Sequence, residues 1–331
     1  MDNYKILEET VWNKNLCTCC GACSAVCPSS SIIYKNFQPS YIGKCKVLDS
    51  GIPCGACSES CARVKKPDPV NTQYQAYSVR SANPVPNAQS GGAVTQLLIS
   101  ALDSGMIDGA LLMNVDKFTQ KPSPIIATDR NMIMLSAGSR YTWGNVLDTL
   151  GKAVKKGHKN LAIVGTPCTI QSVRRIMASN VDVVQCYGRC IRFTIGVFCS
   201  GIFGEIENIV AKKLGISSWQ IKKIDIKSGK VIVFLKDGVM ELAINSVKDN
   251  TLPGCSKCSD FASDYADISA GKTGSEDGHT SILVRNEAGN ALVSCAFEMG
   301  NITMSEKVDI DSIQKASERK INSAMRMIPQ V

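Results

Sequence analysis

The stretch "CTCCGACSAVCP", residues 17–28, places five cysteines in eleven positions. Cys17, Cys20, Cys23 and Cys27 stand at the spacing C-x2-C-x2-C-x3-C, Pro28 follows, and Cys19 lies outside the pattern. Thiols so close on one loop can reach three corners of a polynuclear metal centre, and the fourth ligand has to come from a distant part of the chain. A second run supplies it: Cys45, Cys54, Cys57 and Cys61, in which the first gap is widened to eight residues. Gly21 and Gly55 hold equivalent places in the two runs, where a backbone wrapping a metal centre calls for positive φ.

The first run has the spacing of bacterial ferredoxins. Their crossing rule predicts one [4Fe-4S] cluster on Cys17, Cys20, Cys23 and Cys61 and another on Cys45, Cys54, Cys57 and Cys27. A pair of zinc knuckles would use the same C-x2-C pairs. The N-terminus "MDNYKILEET" has neither the basic start nor the apolar run of a signal peptide, and no apolar stretch reaches membrane-spanning length. The expected location is therefore the cytoplasm, or the cytoplasmic side of a membrane complex. There the 16 cysteines would stay reduced, which makes them metal ligands rather than disulfides. The formal net charge of +8 is spread along the chain, which argues against nucleic-acid binding and suits an acidic docking partner or a multiply anionic coenzyme.

Residues 62–75, "ARVKKPDPVNTQYQ", are polar, carry two prolines and read as a linker, giving one domain over 1–75 and a second over 76–331. In the second, helical spacing in "AVTQLLISALDSGM", "VLDTLGKAVKKG" and "GEIENIVAKKLG" alternates with strand-like "IDGALLMNV" and "NLAIVGTPC". The segment "KKIDIKSGKVIVFLKDGVMEL" reads as a hairpin with turns at "KSGK" and "KDG". The fold class is mixed α/β: a ferredoxin-like two-cluster module followed by a larger α/β domain.

Three loops of that domain suit a ligand. Ser90, Gly91 and Gly92 open a helix, whose free N–H groups and positive dipole end fit a phosphate or a ring oxygen. "GTPC", residues 165–168, ends an apolar strand, the place where open α/β sheets seat ligands. "DISAGKTGSEDGHTS", residues 267–281, sets three glycines and several hydroxyls between short apolar strands. Capping turns or plain surface loops would read the same way.

Taken in order, "SGGAVTQLLISALDSGMIDGAL", "AGSRYTWG", "VGTPCTIQSVRR", "IGVFCSGIF" and "CSKCSDFASDYADISAGKTGSEDG" resemble the beta-subunit family of coenzyme F420 hydrogenases and dehydrogenases. The resemblance implies FAD held by Ser90, Gly91 and Gly92, by Arg140, Tyr141 and Thr142, by Gly165 and Thr166, and by Lys272, Thr273, Gly274 and Ser275. It also implies an inner [4Fe-4S] cluster on Cys168, Cys199, Cys255 and Cys258, against the alternative of zinc on the C-x2-C pair. Cys186 and Cys190 are read as non-ligands, Cys19 and Cys295 as simple thiols, and His158 as a solvated turn residue. At His279, after Asp277-Gly278, relatives commonly carry tryptophan.

A deazaflavin gives up two electrons as hydride, whereas each cluster accepts one, so a flavin has to stand between them. The expected function is an iron-sulfur flavoprotein subunit that exchanges hydride between coenzyme F420 and FAD. It would pass single electrons through three [4Fe-4S] clusters to or from a hydrogenase, formate dehydrogenase, heterodisulfide reductase or membrane dehydrogenase partner. A ferredoxin-linked flavin reductase of an organic substrate and an electron-wire subunit without its own coenzyme reaction stay open. No catalytic side chain is named, because hydride transfer rests on positioning and flavin electronics. Arg140, Lys272, Arg189 and Arg192 are candidate cations for the anionic F420 tail.

Overall fold

The computed structural model describes residues 3–68, 70, 73–116, 119 and 121–326. The N-terminal region opens with helix α1 (Tyr4–Leu7), capped by the Asn3 side chain, which accepts the Lys5 N–H at 2.8 Å. Helix α2 (Ala22–Ala25) starts from Gly21 at φ +85°. The hairpin β1 (Ile32–Lys35) and β2 (Gln38–Tyr41) comes next, and helix α3 (Lys46–Ser50) fills the widened gap of the second cysteine run. Helix α4 (Ala56–Glu59) starts from Gly55 at φ +69°, so both glycines take the left-handed backbone that the two runs call for.

Eight of the remaining strands form one sheet. The chain runs through β3 (Gln75–Ser81), helix α5 (Ala93–Asp103), β4 (Gly109–Val115), β5 (Pro122–Ala127), helices α6 (Arg130–Leu135) and α7 (Leu150–Lys155), and β6 (Leu161–Gly165). Helices α8 (Pro167–Met177) and α9 (Asp182–Gly188) lead to β7 (Ile191–Val197), and α10 (Ile206–Leu214) to a meander of β8 (Lys223–Lys227), β9 (Lys230–Phe234) and β10 (Val239–Ala243). Then come β11 (Ile268–Gly271), β12 (Thr280–Val284), α11 (Glu287–Glu298), β13 (Ile302–Ser305) and α12 (Ile310–Arg326). The sheet order is β13-β3-β12-β11-β7-β6-β4-β5. Pairing is parallel through β11-β7-β6-β4, and β12, antiparallel to both β11 and β3, turns β3 the same way. Five strands therefore end on one edge.

Alternation along each strand separates two cores. On β6, Ala162 packs with Leu97 and Ala101 of α5 and Leu292 of α11, whereas Leu161 and Ile163 face Leu150 of α7 and Val173 and Ile176 of α8. Ala22, Val26 and Ala56 of the N-terminal region belong to that second core. Trp143 strengthens the junction: its indole N–H donates to the Cys19 carbonyl at 2.8 Å, and its ring meets Tyr34 and Phe37. The N-terminal region is thus a layer on the α7–α8 face of the sheet. The linker reading gives way at its start, where Ala62 and Pro67 are buried; residues 69, 71 and 72 of that stretch lie outside the described ones.

Asp267 locks the sheet from within. Its carboxylate accepts from the Thr194 N–H (2.8 Å) and hydroxyl (2.6 Å) and from Asn286 Nδ2 (2.6 Å), and it pairs with Arg174 at 2.6 Å. Burial works to raise its pKa, but Arg174 and these donors outweigh it and hold the carboxyl below the ordinary value. The segment from Lys223 forms three strands rather than one hairpin. Its "KSGK" turn sets Ser228 and Gly229 at φ +52° and +76°, the two positive values a type I′ turn needs. Among the described residues no helix is long and apolar enough to cross a membrane.

Candidate functional site

The two cysteine runs close around two cavities. Cys17, Cys20, Cys23 and Cys61 line the first, together with Tyr34, Arg63, Cys168 and Ser172. Cys27, Cys45, Cys54 and Cys57 line the second, beside Tyr4, Tyr41 and Lys46. Each cavity takes three cysteines from one run and one from the other, the division made by the ferredoxin crossing rule. Cys23 lies on α2 and Cys57 on α4, while Cys27 and Cys61 follow their helices and reach the opposite cavity. No three His, Cys, Asp or Glu side chains among the described residues meet closely enough to hold a single metal ion.

Burial raises the pKa of several of these thiols. Burial, then the neighbouring Cys61 charge, pushes Cys20 up to about 11 against the hydrogen bond of Ser172 Oγ at 3.2 Å. Cys57 is pushed up to about 12 by burial and then by Cys27. Cys17 is raised by its hydrogen bond with Cys19 and by burial, Cys23 and Cys61 chiefly by burial. A buried thiolate needs a nearby positive centre to exist at neutral pH, and a cluster iron is such a centre.

A third set of cysteines lies behind the first cavity. Cys168 sits in the first turn of α8, entered through Thr166 and Pro167 at N1, with Thr166 Oγ1 at 3.2 Å from its sulfur. The "GTPC" segment is thus a helix start, not only a turn. Cys199 follows β7 and donates its N–H to the Phe261 carbonyl at 3.0 Å, while Cys255 ends a short turn whose Gly254 presses on the backbone of Cys17. A β-carbon at Gly254 would fall 2.1 Å from the Cys17 carbonyl oxygen. The charges of Cys168, Cys199, Cys255 and Cys258 act on one another; burial first, then these neighbours, pushes Cys255 up to about 11, and burial pushes Cys199 up to about 12. Cys168 also lines the first cavity, so the three sets form a continuous series from the second cavity inward.

The glycine-rich loops meet at the edge where the five strands end. Ser90 Oγ lies 2.9 Å from Thr280 Oγ1, and Gly92 opens α5. Gly91 is demanded by packing, since a β-carbon there would stand 2.5 Å from the Val79 carbonyl oxygen. Lys272 pairs with Asp225 at 3.2 Å, and the Tyr141 hydroxyl donates to the same carboxylate at 3.5 Å. Several expected contacts are already satisfied: Thr142 donates to the Glu207 carboxylate, Thr166 lies within reach of Cys168 and Thr169, and Ser275 pairs with Ser281 at 2.7 Å. Gly165 is pressed by the Thr169 side chain, and Gly274 packs against Ile313 beside Thr273. Among the described residues, the buried groups left without a hydrogen-bond partner in these loops are the whole side-chain amide of Gln89, Arg140 Nε and His279 Nδ1, the last 3.5 Å from the Glu276 carboxylate.

Some readings change. Arg189 and Arg192 flank the start of β7, so the seven-residue strand separates them from the ligand edge by about 20 Å at the ordinary strand rise, and neither is a candidate for the coenzyme tail. His158 is not solvated: its Nδ1 lies 3.1 Å from Asp108 and its side chain is 16% exposed. Cys19 is buried, its thiol donating to the Phe37 carbonyl at 2.8 Å, and the Cys190 thiol turns to the Cys186 carbonyl at the far end of the sheet. The sequence reading missed Gln89, Lys223, whose ammonium donates to the Ala88 carbonyl at 3.1 Å, and the half-buried cations Arg63 and Lys320. Only Arg63 carried a signal, its place two residues after Cys61.

Residues 76–151 match the family described as coenzyme F420 hydrogenase/dehydrogenase, beta subunit N-term, and residues 158–310 match the C-terminal part of the same family. The chain belongs to that beta-subunit family. It is 36% identical to an uncharacterized protein of Methanocaldococcus jannaschii over 97% of both chains. It is 32% identical to the coenzyme F420 hydrogenase subunit beta of Methanothermobacter thermautotrophicus over 64% of this chain and 76% of that one. Its fold matches a chain of the F420-reducing [NiFe] hydrogenase complex from Methanosarcina barkeri with a TM-score of 0.73 and 29% identity, covering 78% of this chain and 93% of that chain. The family is one of redox subunits of F420-linked hydrogenases and dehydrogenases. Its matched segments start at residue 76, after the two cysteine runs.

Proposed function

We propose that this chain is an iron-sulfur flavoprotein subunit that exchanges hydride between coenzyme F420 and FAD and relays single electrons through three [4Fe-4S] clusters to or from a partner redox subunit. The partner is a hydrogenase, formate dehydrogenase, heterodisulfide reductase or membrane dehydrogenase component. The observation that carries this reading is the arrangement of twelve cysteines in three sets of four, running from the second cavity through the first to Cys168 and Cys199 at the strand ends. Donor chemistry supports cubanes: each set offers thiols alone, spread around a cavity or coupled at a distance, and does not converge on a single ion.

Fit to a flavin rests on the edge itself. Gln89 and Arg140 Nε are buried polar groups without partners there, and Lys272 adds a cation to the same rim. Ser90, Gly91, Gly92, Arg140, Tyr141, Thr142, Gly165, Thr166 and Lys272–Ser275 would hold FAD. Bound FAD supplies a centre stable at both the one- and two-electron levels, which joins a hydride carrier to one-electron clusters. The protein's part is positional. Thr166 fixes the start of α8 and therefore Cys168, and Asp225 orients Lys272 and Tyr141.

Anaerobically prepared protein loaded with iron and FAD should transfer electrons between reduced F420 and a viologen dye. Flavin that is bound but not reduced by reduced F420, with turnover on reduced ferredoxin, would replace F420 with an organic substrate. Absence of FAD binding would reduce the chain to an electron wire.

A further inference from the structure

We propose that Arg63 and Lys320 are positioning cations that set the redox potential of the inner four-cysteine centre, making it easier to reduce than the outer centre at Cys27, Cys45, Cys54 and Cys57. The inference rests on the three-cluster reading.

Arg63 leaves the second cysteine run just after Cys61 and lines the first cavity beside Cys17, Cys20, Cys23 and Cys168. Its guanidinium acts electrostatically on Cys258, Cys168 and Cys20, and one terminal nitrogen is buried without a partner. Lys320 approaches from α12 on another side. Its ammonium donates to the Cys199 carbonyl and, at 2.7 Å, to the Asp260 carbonyl, and its charge acts on Cys199, Cys258 and Cys168.

The carboxylate facing Lys320 is Asp260. It is already engaged, accepting from Gln171 Nε2 at 2.8 Å. At the outer centre the lining cation, Lys46, is exposed to solvent, and the charges acting most on Cys57 are those of Cys27, Cys54 and Cys45. Reduction adds one electron and no proton to a centre that is already negative. A fixed cation at short range in a low-dielectric site therefore favours the reduced state. The sequence of potentials would draw single electrons from the flavin side onto the inner centre first.

The test is a dithionite titration, followed by electron paramagnetic resonance, of the iron-loaded full chain and of its Arg63→Gln and Lys320→Met variants. In each variant the reduced-to-oxidised ratio of one centre at fixed potential should fall about tenfold, 59 mV for a one-electron couple, while the outer centre is unmoved. Arg63→Lys should recover most of the shift, and Lys315→Gln, an exposed lysine on the same helix, should produce none. Lys320→Met, which keeps the packing of the stem, carries the test where Arg63→Gln does not retain iron. Unchanged potentials in iron-replete variants overturn the proposal. A wild-type chain with only two reducible centres overturns the cluster reading beneath it.

Discussion

At the cysteine layer, eight thiols from two short runs surround two cavities in the crossed grouping that ferredoxin spacing suggests, with Cys168 joining the first. At the ligand edge, loops as far apart as Ser90 and Thr280 meet, and most of their polar groups bond one another rather than standing free. Metal ligands are defined by type and interval, because a cluster needs soft donors at fixed separations. A hydroxyl or cation in a loop acquires its role only when a distant element either satisfies it or leaves it open. Mutations should therefore act in a graded way at the edge and in an all-or-none way in the layer.

The largest effect is expected from Cys61→Ala, which removes the crossed ligand of the first cavity. Iron should fall by about four per chain, and dye reduction driven by reduced F420 should drop to background. Cys57→Ala should instead leave flavin reduction at its normal rate and slow only delivery to the partner. If Cys57→Ala blocks flavin reduction too, the order of the three sets is wrong.

Next comes the sheet. Asp267→Asn breaks a buried ion pair and should cost about 3–5 kcal/mol of unfolding free energy, read by chemical denaturation. Because the folded-state pKa of Asp267 is depressed, its contribution is present above the ordinary value of 3.8 and is lost as pH falls through the lower folded value. The unaltered protein should show this acid-side loss, and the Asn variant should lack that component of it.

Leu150→Ala, in the core shared by the sheet and the cysteine layer, should cost about 2–5 kcal/mol. Trp143 fluorescence, which senses the junction, and far-ultraviolet circular dichroism should then shift together. Two separated transitions would mean that the layer and the sheet fold independently despite the shared contacts of Ala22, Val26 and Ala56.

The smallest effects belong to the edge. Lys272→Ala should raise the Michaelis constant for F420 about two- to fivefold, the size of a screened charge contact of up to about 1 kcal/mol, with little change in turnover. Arg189→Ala and Arg192→Ala should leave it unchanged, since both side chains lie at the opposite end of β7. A coenzyme affinity that responds to Arg192 and not to Lys272 would move the binding site across the sheet.

These contrasts follow what could be read in advance. The helices at Ala93 and Ile206, the strands at Gly109 and Leu161, the positive φ of Gly21 and Gly55 and the mixed α/β class were all legible, because periodicity and glycine placement are local. The layering of residues 3–68 on the sheet was not legible, because a polar, proline-bearing segment looks the same whether it spans solvent or folds back. Arg63 offered only its place two residues after Cys61 as a signal, and Lys320 was hidden in an amphipathic helix with many lysines and arginines. The fates of Thr142 and Ser275 depended on Glu207 and Ser281, partners that spacing does not reveal.

The most direct test of the central claim is metal analysis of protein purified without oxygen. Three cubanes predict about twelve irons and twelve sulfides per chain with no zinc. Zinc in place of iron at any of the three sets, or iron without matching sulfide, would contradict the account.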